Sequence, residues 1–354
     1  MRIRSEMELH SRGVSRRQVL AGGAVGALAG LASVPTAARA QALEQKQVEI
    51  WAVRDPQEAA AIAIAKELNF YKEEGLDATV KWIVSGTDMP SLVASGEISF
   101  AGESIATSAI LRDKGIDIRY VMQTANIAGT QCFVLGPKSS VKSPKDLEGK
   151  KIGMAAGSGV AIAIGNMAQQ YGVDYSKLVF VNLQPPDQAP ALERGDIDAM
   201  AVWQPWALAA LSLGGKLYFT GNKSYIDGDE KPVNWMYLDA GLNVPGKYLA
   251  ANPNTVKAVM RAVLKGITYI NAHDMAENAK ILSGPLNVPE DDLAKIMKQN
   301  IYSATIDQNV VDGETEMLKF GADPKIRWMD KEFAPKELYD LALLKEIAPN
   351  QVKV

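Results

Sequence analysis

Two stretches, one in each half of the chain, follow the same local pattern. Pro90-Ser91-Leu92-Val93-Ala94-Ser95-Gly96-Glu97-Ile98 and Pro190-Ala191-Leu192-Glu193-Arg194-Gly195-Asp196-Ile197 each run a short helix into Gly, an acid and Ile before an apolar strand. A Gly-acid-Ile turn also closes unrelated short helices, so the echo matters chiefly because a larger order repeats around it. In the first half, Val48 to Val53 reads as a buried strand, and Asp55-Pro56 opens an Ala- and Ile-rich helix running to about Tyr71. A strand at Ala78 to Val84, a short helix at Pro90 to Ser95, a strand at Ile98 to Ala101 and a helix at Ser104 to Lys114 follow. The second half repeats this with a strand at Lys151 to Ala155, a helix at Gly159 to Tyr171, a strand at Leu178 to Leu183 and a helix at Pro190 to Arg194. Strands alternating with helices at this pitch predict parallel α/β sheets, and the repetition predicts two similar lobes.

The segment Gln131 to Leu135 carries the chain into the second lobe, and a Gly-, Asn- and Asp-rich stretch from Gly221 to Asp229 precedes the return at Asn234 to Asn243. Beyond Pro253 the pattern is helical, with helices expected at Thr255 to His273, Met275 to Leu282, Glu290 to Gln299 and Gly313 to Gly321. The expected division is therefore lobe one at 41–128 and 240–354 and lobe two at 129–239, each a mainly parallel sheet flanked by helices, joined by two crossing strands. Such an arrangement encloses a cleft at the carboxyl ends of parallel strands, where ligands bind.

The first forty residues read as an export leader. Ser15-Arg16-Arg17-Gln18-Val19-Leu20 sets an arginine pair before an apolar run from Val19 to Val34, which ends at Ala38-Arg39-Ala40. The run is shorter than a spanning helix needs, and small residues suit cleavage between Ala40 and Gln41. The paired arginines resemble a twin-arginine signal. Removing the leader leaves 32 basic residues (38 − 6) against 39 acidic (41 − 2), a formal charge of 7 negative. That balance argues against a nucleic-acid partner. His273 and Cys132 are the sole His and Cys of the mature chain, so no disulfide, multi-histidine metal site or catalytic triad is expected. No cofactor motif appears.

Val181-Asn182-Leu183-Gln184-Pro185-Pro186, Glu193-Arg194-Gly195-Asp196-Ile197-Asp198-Ala199, Ala201-Val202-Trp203-Gln204-Pro205-Trp206 and Gly157-Ser158-Gly159 together carry a resemblance. The sequence from Val48 onward resembles the periplasmic solute-binding proteins of nitrate/sulfonate/taurine ABC importers, nearest the taurine branch. The resemblance implies a non-catalytic two-lobed clamp of type II that closes on a small anionic or zwitterionic solute. It implies delivery to an ABC permease and ATPase, and a monomer.

Candidate ligand residues fall at strand exits. Gly157-Ser158-Gly159 precedes a helix and offers amides, a hydroxyl and the positive end of the helix dipole to an anion. Ser85, Gly86 and Thr87 stand at the matching exit in lobe one, with Glu103 and Ser104 after the next strand. Glu103 occupies a position where relatives carry a small residue, so it either pairs with Arg54, meets a cationic group of the ligand, or faces away from the cleft. Arg54 ends the first strand, where a guanidinium suits a sulfonate or carboxylate, and Gln57 follows in the first helical turn. Trp203 would wall the ligand's carbon chain, while Gln204 replaces an acid of the family pattern. Thr130 lies at the first crossing and Asp239 at the second, the latter a natural partner for an ammonium. A pyrimidine synthase of thiamine biosynthesis, or a binder of such a heterocycle, is the alternative reading. Against the enzyme stands His273, the lone remaining histidine, far from the cleft motifs.

Overall fold

The computed structural model describes residues 42–354, so the expected leader lies outside the described residues. Thirteen strands occur among the described residues and form two sheets. The chain begins with β1 (Gln47–Val53), whose alternating exposed and buried residues mark a strand covered on one face. Helix α1 (Pro56–Glu67) follows. Its Ala and Ile residues are buried over ten consecutive positions, because it lies between the sheet and later helices. After the short α2 (Phe70–Glu73) come β2 (Asp77–Ile83), α3 (Met89–Ala94), β3 (Phe100–Gly102), α4 (Ile105–Asp113) and β4 (Ile118–Asn126). The chain then crosses over and forms β5 (Gln131–Leu135), β6 (Lys151–Met154), α5 (Val160–Tyr171), β7 (Val179–Asn182), α6 (Pro185–Arg194), β8 (Ala199–Trp203), α7 (Trp206–Ser212) and β9 (Lys216–Thr220). Two short strands, β10 (Lys223–Ser224) and β11 (Lys231–Pro232), precede the return strand β12 (Asp239–Pro245).

The first sheet has the order β13-β4-β12-β3-β1-β2, where β13 is Ile301–Tyr302, and the second the order β11-β10-β9-β5-β8-β6-β7. Each sheet has a parallel trio, β2-β1-β3 in one and β7-β6-β8 in the other, with antiparallel strands added beyond it. The strands that enter each lobe, β12 and β5, run against the trio, and β4 and β9 beyond them pair antiparallel with these and so run with the trio. The helical tail comprises α8 (Gly246–Ala251), α9 (Pro253–Ala272), α10 (Met275–Leu286), α11 (Glu290–Met297) and α12 (Gln308–Ala322), and α1 packs on both α9 and α10. Among the described residues no helix is long and apolar enough to cross a membrane.

Three expectations shift. The helix expected from Pro190 begins at Pro185, since Pro185 and Pro186 occupy first-turn positions whose amides have no helical partner anyway. The strand expected at Ile98 to Ala101 lies at Phe100 to Gly102, and β9, β10, β11 and β13 add to the sheets without a signal strong enough to predict them. Cys132 is buried and unpaired in the second sheet.

Candidate functional site

Three strand-to-helix junctions converge on one cavity, and their helix ends are treated differently. At β1 to α1, Asp55 is the N-cap, and its carboxylate accepts from the amides of Gln57 (3.0 Å) and Glu58 (2.9 Å). At β3 to α4, the Ser104 hydroxyl accepts from the Ala106 amide (3.2 Å), Asp239 reaches in from β12 to accept from the Ile105 amide (3.0 Å), and Glu103 accepts from the Ser104 amide (3.1 Å). The ends of α1 and α4 are thus filled by the protein's own oxygens, whereas the turn from β2 into α3, which brings Gly86 and Thr87 to the cavity, has no side-chain cap. At β6 to α5 the N-cap is Gly159, which has no side chain to cap with. Among the described residues the amides of Gly159 and Val160 meet no acceptor, and the Ser158 hydroxyl is buried without a partner. Gly157 turns there with φ +83°, a left-handed conformation suited to glycine.

The cavity has a volume of about 110 Å³. Asp55, Gln57, Glu58, Gly86, Thr87, Glu103 and Ser104 line it from the first lobe, and Gly157, Ser158, Gly159 and Trp203 from the second. Trp328, Ile110, Ile127 and Leu238 supply apolar wall, and among the described residues no Lys, Arg or His lines it.

Carboxyls therefore meet without a counter-charge. Burial pushes Asp55 up to about 7, against the pull of the two amides it caps. Burial likewise pushes Glu103 up to about 8, helped by the nearby Asp55 and Asp239. Glu58 is raised well above the carboxylate range by burial and then by Glu103, Asp55 and Asp239. Asp239 rises to about 6 through burial. The Trp203 indole N–H lies beside the Asp55 carboxyl without reaching hydrogen-bond geometry. One of the contacts between the lobes lies beside the cavity: the Gln57 side-chain amide donates to the Gln204 carbonyl at 2.5 Å.

Of the residues singled out from sequence, Gln57, Gly86, Thr87, Glu103, Ser104, Gly157, Ser158, Gly159 and Trp203 come together here. Five do not line the cavity. Arg54 is exposed and donates through Nε to the Pro285 carbonyl (2.9 Å), because the side chain leaves the strand on the face toward α10, and it does not line the cavity beside Glu103. Ser85 is fully buried and shares a hydrogen bond with Thr87 (2.8 Å). Thr130 is held by the Ile127 carbonyl (2.8 Å) and Asn300 (3.1 Å) at the crossing. Gln204 lines a second groove, with Leu208, Asn222 and Gln299, and Asp239 is spent on the end of α4. Sequence reasoning missed Asp55 and Glu58 as lining residues, although acids at the start of a helix whose next seven residues are all Ala or Ile were a visible signal. Trp328 had none, since it arrives from an irregular segment after α12.

The sequence pattern of the family described as NMT1/THI5 like matches residues 56–276. The chain belongs to the NMT1/THI5-like family. Its relatives include the taurine-binding periplasmic protein of Escherichia coli (strain K12), 29% identical over 253 residues that cover 69% of this chain and 75% of that protein. A putative aliphatic sulfonates-binding protein of Bacillus subtilis (strain 168) is 21% identical over 313 residues, covering 86% and 89%. In fold, the chain is similar to the alkanesulfonate-binding protein SsuA from Xanthomonas axonopodis pv. citri bound to MOPS, with a TM-score of 0.69 at 17% identity over 85% of this chain and all of that one. The NMT1/THI5-like chain thus has the two-lobed periplasmic-binding-protein fold.

Proposed function

We propose that this protein is the periplasmic substrate-binding component of an ABC importer, exported by its twin-arginine leader, and that it captures an organic sulfonate of the taurine type. The observation that carries this reading is the open end of α5, with its unpartnered Ser158 hydroxyl and free amides. A sulfonate there exchanges water for fixed donors at the positive end of a helix dipole. The taurine-binding and sulfonate-binding relatives support the solute class. Lobe one (42–128 with 240–354) and lobe two (129–239) close on the solute, the Gln57 to Gln204 bond latches them, and the closed form is what the permease recognises. Binding without catalysis fits relatives named for binding. A protonated heterocycle such as an aminopyrimidine is the second reading, favoured by the carboxyls and two indoles that share the cavity.

A thermal-shift screen against taurine, alkanesulfonates, nitrate, bicarbonate, carboxylates and aminopyrimidines tests it. A ligand that binds only the folded state adds about 2.7 kcal/mol at a hundredfold excess over its Kd. Stabilisation by taurine or a sulfonate, weakened in Ser158→Ala, is the expected result. Stabilisation by an aminopyrimidine with no response to any sulfonate contradicts it.

A further inference from the structure

Helix ends engage three of the four carboxyls around the cleft, yet leave one oxygen of Glu58 and one of Glu103 unmet. Asp55 and Asp239 are spent on the amides of α1 and α4. Glu58 Oε2 and Glu103 Oε2 are buried and meet no donor, although Glu58 is only 6% exposed and both residues line the cavity. Beside them, Gln57 spends its amide nitrogen on the Gln204 carbonyl, and its Oε1 is left as a third buried acceptor without a donor, on a cavity-lining residue 2% exposed. Three buried acceptors sharing one cavity, with no basic side chain in its wall, are costly unless something brings donors to them.

The local structure holds these acceptors in position. Asn243 of β12 donates to the carbonyls of Glu103 (2.7 Å) and Ser104 (3.3 Å), and the Glu103 amide donates to Gly241 (3.0 Å), which fixes the backbone under the carboxyl. The carboxyl itself lies over Gly86: a Cβ there would fall 2.1 Å from Glu103 Oε2, so only glycine leaves room for it. Glu58 is fixed in the first turn of α1 by the Asp55 cap.

We infer that Gln57, Glu58 and Glu103 form a subsite for a positively charged nitrogen, so that the solute is a zwitterion with its cationic end on lobe one and its anionic end at α5. This rests on the sulfonate reading of the α5 end. An ammonium has three N–H donors and no acceptor, which matches three acceptors that lack donors, and an amidinium matches two of them. The first lobe then selects among the solutes that the second lobe tolerates, because a simple sulfonate leaves the three acceptors unmet, whereas an ammonium favours the ionised form of the two carboxyls and pairs with it. Trp203, Trp328, Ile110 and Leu238 line the space available to the carbon body between the two ends.

Titration calorimetry on the full protein with matched pairs tests this: taurine against ethanesulfonate, and homotaurine against propanesulfonate. The expected result is that each amine binds at least about 30-fold tighter than its deaminated partner. Glu103→Gln and Glu58→Gln should each shrink that ratio about tenfold while leaving ethanesulfonate within about threefold. Plain sulfonates binding as tightly as the amines overturn the inference and leave the sulfonate reading intact. Both variants weakening the two members of a pair equally also overturns it. Binding of neither series overturns the sulfonate reading and this inference with it. The wild-type pairs decide the matter even where a variant fails to fold.

Discussion

The two lobes bring equivalent junctions to the same cleft, a strand exit running into a helix, and finish them in opposite ways. In lobe one, Asp55 fills the end of α1, and Ser104 with Asp239 fills the end of α4. In lobe two, Gly157-Ser158-Gly159 leaves the end of α5 open. A helix N-terminus attracts negative charge in either case; what differs is whether the protein or a ligand supplies it. Filled ends turn lobe one into a donor-poor, carboxyl-rich wall, and the open end makes lobe two a donor-rich one. The ligand's polarity follows from that contrast rather than from the fold, which is common to proteins of differing specificity.

Filling the open end removes the contrast and should have the largest effect. Ser158→Asp places a carboxylate where the solute's anion belongs, and taurine affinity should fall by at least about a hundredfold in calorimetry. Ser158→Ala removes one donor and should cost about tenfold, with melting temperature nearly unchanged.

The carboxyl wall can be probed through pH. The folded state holds Asp55 near 7 and Glu103 near 8, well above an ordinary carboxyl. A raised folded pKa means that the native protein binds protons the unfolded chain has released. The stabilisation is therefore complete below the unfolded value, about pH 4, and is lost as pH climbs through the folded values of about 7 and 8. Ligand-free protein should lose roughly 2 kcal/mol or more between pH 5 and pH 8 in urea titrations, and Glu103→Gln should flatten the part of that slope nearest pH 8. Asp55→Asn keeps a capping oxygen, so stability at pH 5 should change by less than about 1 kcal/mol. A stability that rises over this range would contradict the account of the wall.

Gly86→Ala sharpens the same point. The new methyl collides with the end of a flexible side chain, so Glu103 is displaced rather than the fold broken. Stability should drop by about 1–2 kcal/mol, and discrimination between taurine and ethanesulfonate should shrink. Arg54→Ala marks the floor. Its side chain bonds the Pro285 carbonyl at the surface, so affinity should stay within about twofold and stability within about 0.5 kcal/mol.

Periodicity carried the architecture. The alternation of strand and helix, read twice, was enough for two sheets and a cleft, because sheet faces and helix stripes must bury apolar residues at fixed spacing. Short edge strands such as Lys223–Ser224 and Ile301–Tyr302 have no period to display. The site was legible where function uses backbone geometry, as at Gly157-Ser158-Gly159, since glycine clusters at a strand exit mean close approach. It was less legible where the direction of a side chain decides. Arg54, at the end of its strand, reads as a cleft cation, yet it turns to Pro285, while its neighbour Asp55 turns inward onto α1. Asp239 reads as a ligand acid and proves to cap α4, a helix distant in sequence that only the folded sheet brings to it. Such a cap depends on tertiary pairing of β12 with β3, which no local pattern encodes.

A crystal structure of the protein soaked or grown with taurine tests the contrast between open and filled helix ends most directly. The account predicts the sulfonate oxygens within hydrogen-bond reach of the Ser158 hydroxyl and the Gly159 and Val160 amides, with the end of α1 still capped by Asp55. A sulfonate seated at the end of α1 or α4, or a taurine amine at α5, would contradict it.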